Sequence, residues 1–306
     1  MGRGIGRPEI RILEALALFD QLTAEQLSRY LDNSFRYTQD NCKRLAEGKY
    51  LQRLTLPKRT QAGGVPYVYT LARKGRRYLS DLDEEAPEAV QRRYRPSDQQ
   101  ARLHTLAINE VLLQVRKLAE TDPTLSLVNH ITEREFREEP ISVKLANRTV
   151  SLIPDLWIHL RQQTGGKTYS YYFCIEMNLT PVEQKRWRRK VSLYLNCSDG
   201  YKKRVRVDVF QVVTFVESPA LILRRGVGAY SQIELKEKQR DEQISAKTRG
   251  DYIQWTEQEL IEQNKVSESD LFLFTNAPLY SLTPHKLLYS EHFVLPFEQE
   301  HISLIE

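Results

Sequence analysis

Two short apolar runs on either side of a double glycine constrain this chain more than any other stretch. The first is Leu152-Ile153-Pro154-Asp155-Leu156-Trp157-Ile158-His159-Leu160, and the second is Tyr169-Ser170-Tyr171-Tyr172-Phe173-Cys174-Ile175-Glu176-Met177-Asn178. Thr164-Gly165-Gly166-Lys167 lies between them, and aromatic-rich runs around a Gly-Gly pair predict a β-hairpin. Each run holds an acid where its interior calls for an apolar residue: Asp155 near the start of the first, Glu176 near the end of the second. In antiparallel strands the start of one lies beside the end of the next, so the two carboxylates are expected to converge. Burying two nearby carboxylates is costly unless a cation or hydrogen-bond donors offset the charge. A divalent ion such as Mg²⁺ is one such cation.

Residues 181–195 then take helical spacing. Trp187, Val191, Tyr194 and Leu195 fall on one stripe, with Arg188 and Lys190 on its margins. Strand, turn, strand and helix, with Pro154-Asp155, then Glu176, then a helical lysine, resembles the core of the PD-(D/E)xK nuclease-like fold. The resemblance implies Asp155 and Glu176 as Mg²⁺ ligands. It implies the same two residues and Lys190 as catalytic, the lysine stabilising charge that develops at a scissile phosphate. Asn178 stands where that motif has its lysine. The plainer reading makes Asp155 a turn residue after Pro154 and Glu176 an ion-pair partner of the basic helix.

The charge is unevenly spread. The net is +5 for the whole chain, yet residues 1–80 hold 15 Lys/Arg against 7 Asp/Glu, a net of +8. The remaining 226 residues therefore carry about −3, and such asymmetry points the N-terminal part at a polyanion. That part reads as three helices. The first opens at Pro8 and runs to Phe19, and the second follows a capping box over Thr23-Ala24-Glu25-Gln26. The third spans Phe35–Glu47 and stops at Gly48, with an apolar stripe of Phe35, Thr38, Cys42 and Leu45. Two β-like runs, Tyr50–Leu54 and Tyr67–Leu71, flank a basic loop holding Lys58 and Arg59. This order resembles a winged helix-turn-helix, which implies that the third helix enters the major groove. The expected DNA-binding residues are Arg36, Tyr37, Gln39, Lys43 and Arg44 on that helix, with Lys58 and Arg59 on the wing.

The expected organisation is a winged helix-turn-helix over residues 1–82, a polar linker over 83–100 and an α/β (α+β) domain over 101–306. The last opens on an amphipathic helix with His104 and Glu110, the latter placed where nuclease-like folds often have an acid. Strands are expected at Leu125–His130 and Asp270–Thr275, and a buried strand at Val205–Val216. Separate helices are expected at Leu235–Arg249 and Thr256–Gln263. No apolar run reaches the roughly 18 residues of a membrane helix. Cys42, Cys174 and Cys197 show no metal-ligand spacing, which reads as a reduced, cytoplasmic protein. Phosphate-binding loops, G-x-G-x-x-G and G-x-S-x-G are all missing, so the sequence supports neither ATP use nor hydride chemistry.

The winged-helix N-terminus, His104–Val111, Glu133–Arg137 before Pro154-Asp155, Phe173–Asn178, Lys190–Tyr194 and Leu271–Thr275 together are similar to the replication-relaxation proteins of bacterial plasmids and integrative elements. The resemblance implies an N-terminal winged helix-turn-helix followed by a restriction-endonuclease-like mixed sheet. It also implies double-stranded DNA as partner, with a homodimer and plasmid transfer or replication proteins as further partners. The first function it implies is DNA binding in replication or relaxation, with the second domain contacting DNA or dimerising. A Mg²⁺-dependent nickase using Asp155, Glu176 and Lys190 is the alternative, and a transcriptional repressor is the third.

Overall fold

The computed structural model describes residues 4–56, 67–82, 99–145, 147–217, 232–279, 282–298 and 300–305. Its contacts divide the chain into two compact units, residues 1–113 and 114–306.

The first unit runs α1 (Arg7–Phe19), β1 (Gln21–Thr23), α2 (Ala24–Tyr30), α3 (Phe35–Glu47), β2 (Leu51–Thr55), β3 (Tyr67–Leu71) and α4 (Arg73–Leu82). The expected capping box at Thr23 is present: Gln26 N donates to Thr23 Oγ1 and Thr23 N donates to Gln26 Oε1, both at 3.1 Å. The strands form an antiparallel sheet in the order β1-β3-β2. With only three residues, β1 is too short to leave a periodicity in the sequence. On α3 the buried face is Thr38, Asn41, Cys42 and Leu45, whereas Phe35, expected on that stripe, is 50% exposed in the first turn. At Gly75 an added Cβ would lie 2.3 Å from Tyr50 O, so α4 presses on backbone in a way only glycine permits.

The helix α5 (Gln99–Thr121) begins in this unit. Asn109 Nδ2 donates to Phe19 O and Gln21 O at 2.7 and 2.8 Å, and Gln26 Nε2 donates to Leu106 O at 3.0 Å. Residues 83–98, most of the expected linker, lie outside the described residues.

The second unit opens with β4 (Leu125–Thr132), α6 (Glu133–Glu138), β5 (Ile141–Leu145), β6 (Arg148–Leu152), β7 (Leu156–Thr164) and β8 (Lys167–Asn178). It continues with α7 (Gln184–Leu195), α8 (Ser198–Val205), β9 (Gln211–Val216), α9 (Gln232–Glu262) and β10 (Phe272–Thr275), and ends with α10 (Pro284–Tyr289), β11 (Phe293–Val294) and β12 (His301–Ile302). Seven strands form one mixed sheet in the order β12-β11-β10-β9-β8-β7-β4, parallel at β8/β9 and β9/β10 and antiparallel elsewhere. Trp157, Cys174, Val212 and Phe274 pack with Trp187, Val191, Tyr194 and Tyr252 in the core. Among the described residues no helix is long and apolar enough to cross a membrane.

Three expectations change here. Leu152 ends β6, the second strand of a separate two-stranded hairpin, and the sheet strand starts only after Pro154, which lacks an N–H to donate. The strand expected from Val205 begins at Gln211, because α8 occupies the chain to Val205 and ends at Arg206 in the left-handed region, φ 62°. The two helices expected over 235–263 are one 31-residue helix, α9. The helix continues through Gly250, where Tyr252 is buried and stacks on Trp187 at 4.6 Å. That packing outweighs the roughly 1 kcal/mol a mid-helix glycine costs.

Candidate functional site

Gly165 and Gly166 both have positive φ, 58° and 75°, the conformation that lets β7 turn directly into β8. The pairing continues from Thr164 opposite Lys167 to Leu156 opposite Ile175. The next residues along, Asp155 and Glu176, lie at the head of the hairpin, close enough for the charge of one to act on the other. Both are buried, at 8% and 1% exposure. Asp155 N donates to Ile175 O at 3.2 Å, Glu133 N donates to Asp155 O at 3.0 Å, and Met177 N donates to Asp155 Oδ2 at 2.8 Å. On the far side β9 brings Thr214 beside Glu176 in parallel register. The Thr214 hydroxyl and the Asn178 amide nitrogen are buried without a hydrogen-bond partner among the described residues.

Lys190 and Tyr194 reach this point from α7, one turn apart on the same face. Lys190 Nζ donates to Glu176 Oε2, and the Tyr194 hydroxyl donates to Glu176 Oε1. Burial pushes the Glu176 carboxyl up to about 7; Lys190 pulls against that shift and Asp155 reinforces it. Burial also acts to lower Lys190, but Glu176 and Asp155, helped by Glu133, hold it above its ordinary value. Burial, then the charge of Glu176, raises the Tyr194 hydroxyl. Asp155, Glu176 and Lys190 are thus brought together. Tyr194 was read from the sequence only as part of an apolar stripe. Its spacing of four from Lys190 was the available signal that both point at one acceptor.

In the first unit α3 is capped by Ser34, whose Oγ accepts from Tyr37 N at 3.3 Å. Arg36, Tyr37, Gln39, Lys43 and Arg44 all lie on its exposed side. Arg44 is tethered: it pairs with Glu9 Oε1 at 2.6 Å and donates to Asn41 Oδ1 at 2.7 Å, bracing α3 against α1. Lys58 and Arg59 lie outside the described residues. On the strands beside them, Arg53 stacks over the Tyr67 ring at 4.3 Å.

A family model described as replication-relaxation matches residues 13–213. No curated protein matches the chain. The solved structure of disulfide-formed AbfR is similar at 21% identity over 38% of this chain and 74% of that one, with a TM-score of 0.21.

Proposed function

We infer that this protein, which belongs to the replication-relaxation family, is a DNA-binding protein of a mobile genetic element acting in plasmid replication or relaxation or in its regulation. Helix, strand, helix, helix, strand, strand is the order of a winged helix-turn-helix, and it falls within residues 1–82. The observation that supports this reading best is α3 itself. Its buried face packs against α1, α2 and β2, while Arg36, Tyr37, Gln39 and Lys43 face solvent in a segment of net charge +8. Those four side chains are the base readers, and Lys58 and Arg59 are the phosphate contacts of the wing.

The second unit is a restriction-endonuclease-like module that contacts DNA or dimerises, and plasmid transfer or replication proteins are its further partners. Glu176, as arranged, does not offer Mg²⁺ a free oxygen. Both Glu176 oxygens already accept a donor, Asp155 Oδ2 accepts the Met177 N–H, and the Lys190 ammonium takes the cation's place. The Lys190–Glu176 ion pair, joined by the Tyr194 hydroxyl, therefore holds α7 on the sheet beside Asp155. The nickase reading has one observation in its favour, the unpartnered Thr214 hydroxyl and Asn178 amide beside the carboxylates.

Selection of duplex sequences by the full chain, followed by titration of the enriched site, tests the DNA reading. The expected result is a preferred site whose identity changes in Arg36→Ala/Lys43→Ala. A wild-type chain that retards no duplex at low salt overturns it. Nicking of supercoiled plasmid in Mg²⁺ or Mn²⁺ that vanishes in Asp155→Ala and in Lys190→Ala would instead establish the enzyme.

A further inference from the structure

We propose that the outer face of α7, through Lys185, Arg186 and Arg189, is the surface by which the second unit holds the phosphate backbone of duplex DNA. The proposal rests on the DNA reading above and names the contact that reading leaves open. Helix α7 has five cations and no acid among its twelve residues. Two of the five are committed: Arg188 to Glu259 at 2.8 Å and to Glu262, and Lys190 to Glu176. Lys185, Arg186 and Arg189 are exposed and, among the described residues, make no ion pair. Two acids of α9, Glu259 and Glu262, are spent on Arg188.

The three free cations are arranged in two rows. Lys185 and Arg189, one turn apart, border a groove of about 390 Å³ whose opposite wall includes Glu259. Arg186 and Lys190 form the second row, and both act electrostatically on the Tyr252 hydroxyl. Positive charge thus runs from the outer face of α7 to the ion pair at Glu176. Two arginines and a lysine within five residues suit phosphate oxygens, which guanidinium groups bind in pairs. An acidic protein surface is the competing occupant.

The test uses the full chain and a labelled duplex of the preferred site, measuring how the dissociation constant changes with salt. Each phosphate contact contributes about 0.9 to the slope of log K on log salt. Lys185→Ala/Arg186→Ala/Arg189→Ala is expected to lower that slope by about 2 to 3 and to leave base preference unchanged. Arg189→Gln alone should lower it by about 1, and Arg186→Lys/Arg189→Lys should keep most of it. Thermal melts of each variant should match wild type, since these side chains are exposed. An undiminished slope in the triple variant, with wild type still binding duplex, removes this surface and leaves the α3 reading standing. Displacement from α7 by polyglutamate with no change in the duplex slope assigns the face to an acidic protein and overturns the proposal. A wild-type chain that binds no duplex removes both readings.

Discussion

Glu110 and Arg29 are joined through both ends of the guanidinium, at 2.5 Å to Oε1 and 2.7 Å to Oε2, and Gln26 donates to the same Oε2 at 3.1 Å. The Glu110 side chain is fully buried, while that of Arg29 keeps 38% exposure. An acid on the first long helix looks catalytic in the sequence; in the structure it fastens α2, the helix that precedes α3, to α5. Burial would lower the Arg29 pKa, and the hydrogen bonds and charge of Glu110 more than offset it.

That asymmetry orders two variants. Arg29→Ala leaves a carboxylate with no access to water and should cost about 3–5 kcal/mol. Glu110→Ala leaves a cation that can turn towards solvent, and should cost less, about 1–3 kcal/mol. Urea unfolding of the full chain measures both, and the reverse order would show that the pair is not limited by the buried carboxylate.

At the head of the hairpin, Glu176 gives stability a pH dependence. Its folded carboxyl is raised from 4.5 to about 7, chiefly by burial. Between those values the folded chain holds a proton that the unfolded chain has lost, so stability falls as pH rises through the window. The gap corresponds to roughly 3 kcal/mol. Replacing Lys190 with Met removes the cation that opposes the shift, so the decline should become steeper and extend above pH 7. Urea midpoints at pH 5, 6, 7 and 8 measure the effect, and identical pH profiles for wild type and Lys190→Met would contradict it.

The hairpin, the capping box and α3 were legible in the sequence because each is set by local chemistry: two glycines in a turn, Thr23 with Gln26, and Gly48 after a periodic run. The convergence of Asp155 and Glu176 was legible for the same reason, since a tight turn fixes register. What the sequence hid depends on tertiary contact. The stacking of Tyr252 on Trp187 keeps α9 continuous through Gly250, and Tyr194 shows its polar role only once Glu176 is placed beneath α7. The use of Arg44 as a brace to Glu9 is likewise invisible without the packing of α1 on α3.

That brace separates neighbouring cations on α3. Arg44→Ala breaks a partly exposed pair and should cost about 0.2–1 kcal/mol while leaving base preference intact. Lys43→Ala should leave the melting temperature unchanged and alter which duplex is preferred. Lys58→Ala/Arg59→Ala should weaken binding to all sequences about equally. Competition binding against a panel of single-base variants checks all three, and a change of preference in Arg44→Ala or in the wing variant would redistribute these roles.

The last prediction concerns Asp155 and metal. Asp155 Oδ2 accepts the Met177 N–H, and its charge both raises Glu176 and supports Lys190. Asp155→Asn keeps an acceptor oxygen for Met177 and removes the charge, so metal-free stability near pH 7 should change little. The Glu176 window should move to lower pH, because one of the influences that raise it is gone. Asp155→Ala removes the acceptor as well and strands a buried N–H, at a cost of about 1–3 kcal/mol. Because Glu176 is satisfied by Lys190 and Tyr194, millimolar Mg²⁺ should leave the melting temperature of wild type and of both variants unchanged. A ligand that binds only the folded state would raise it. A Mg²⁺-dependent rise in wild type that disappears in Asp155→Asn would mean that the ion displaces Lys190 from Glu176, and would return these carboxylates to the role of a metal site.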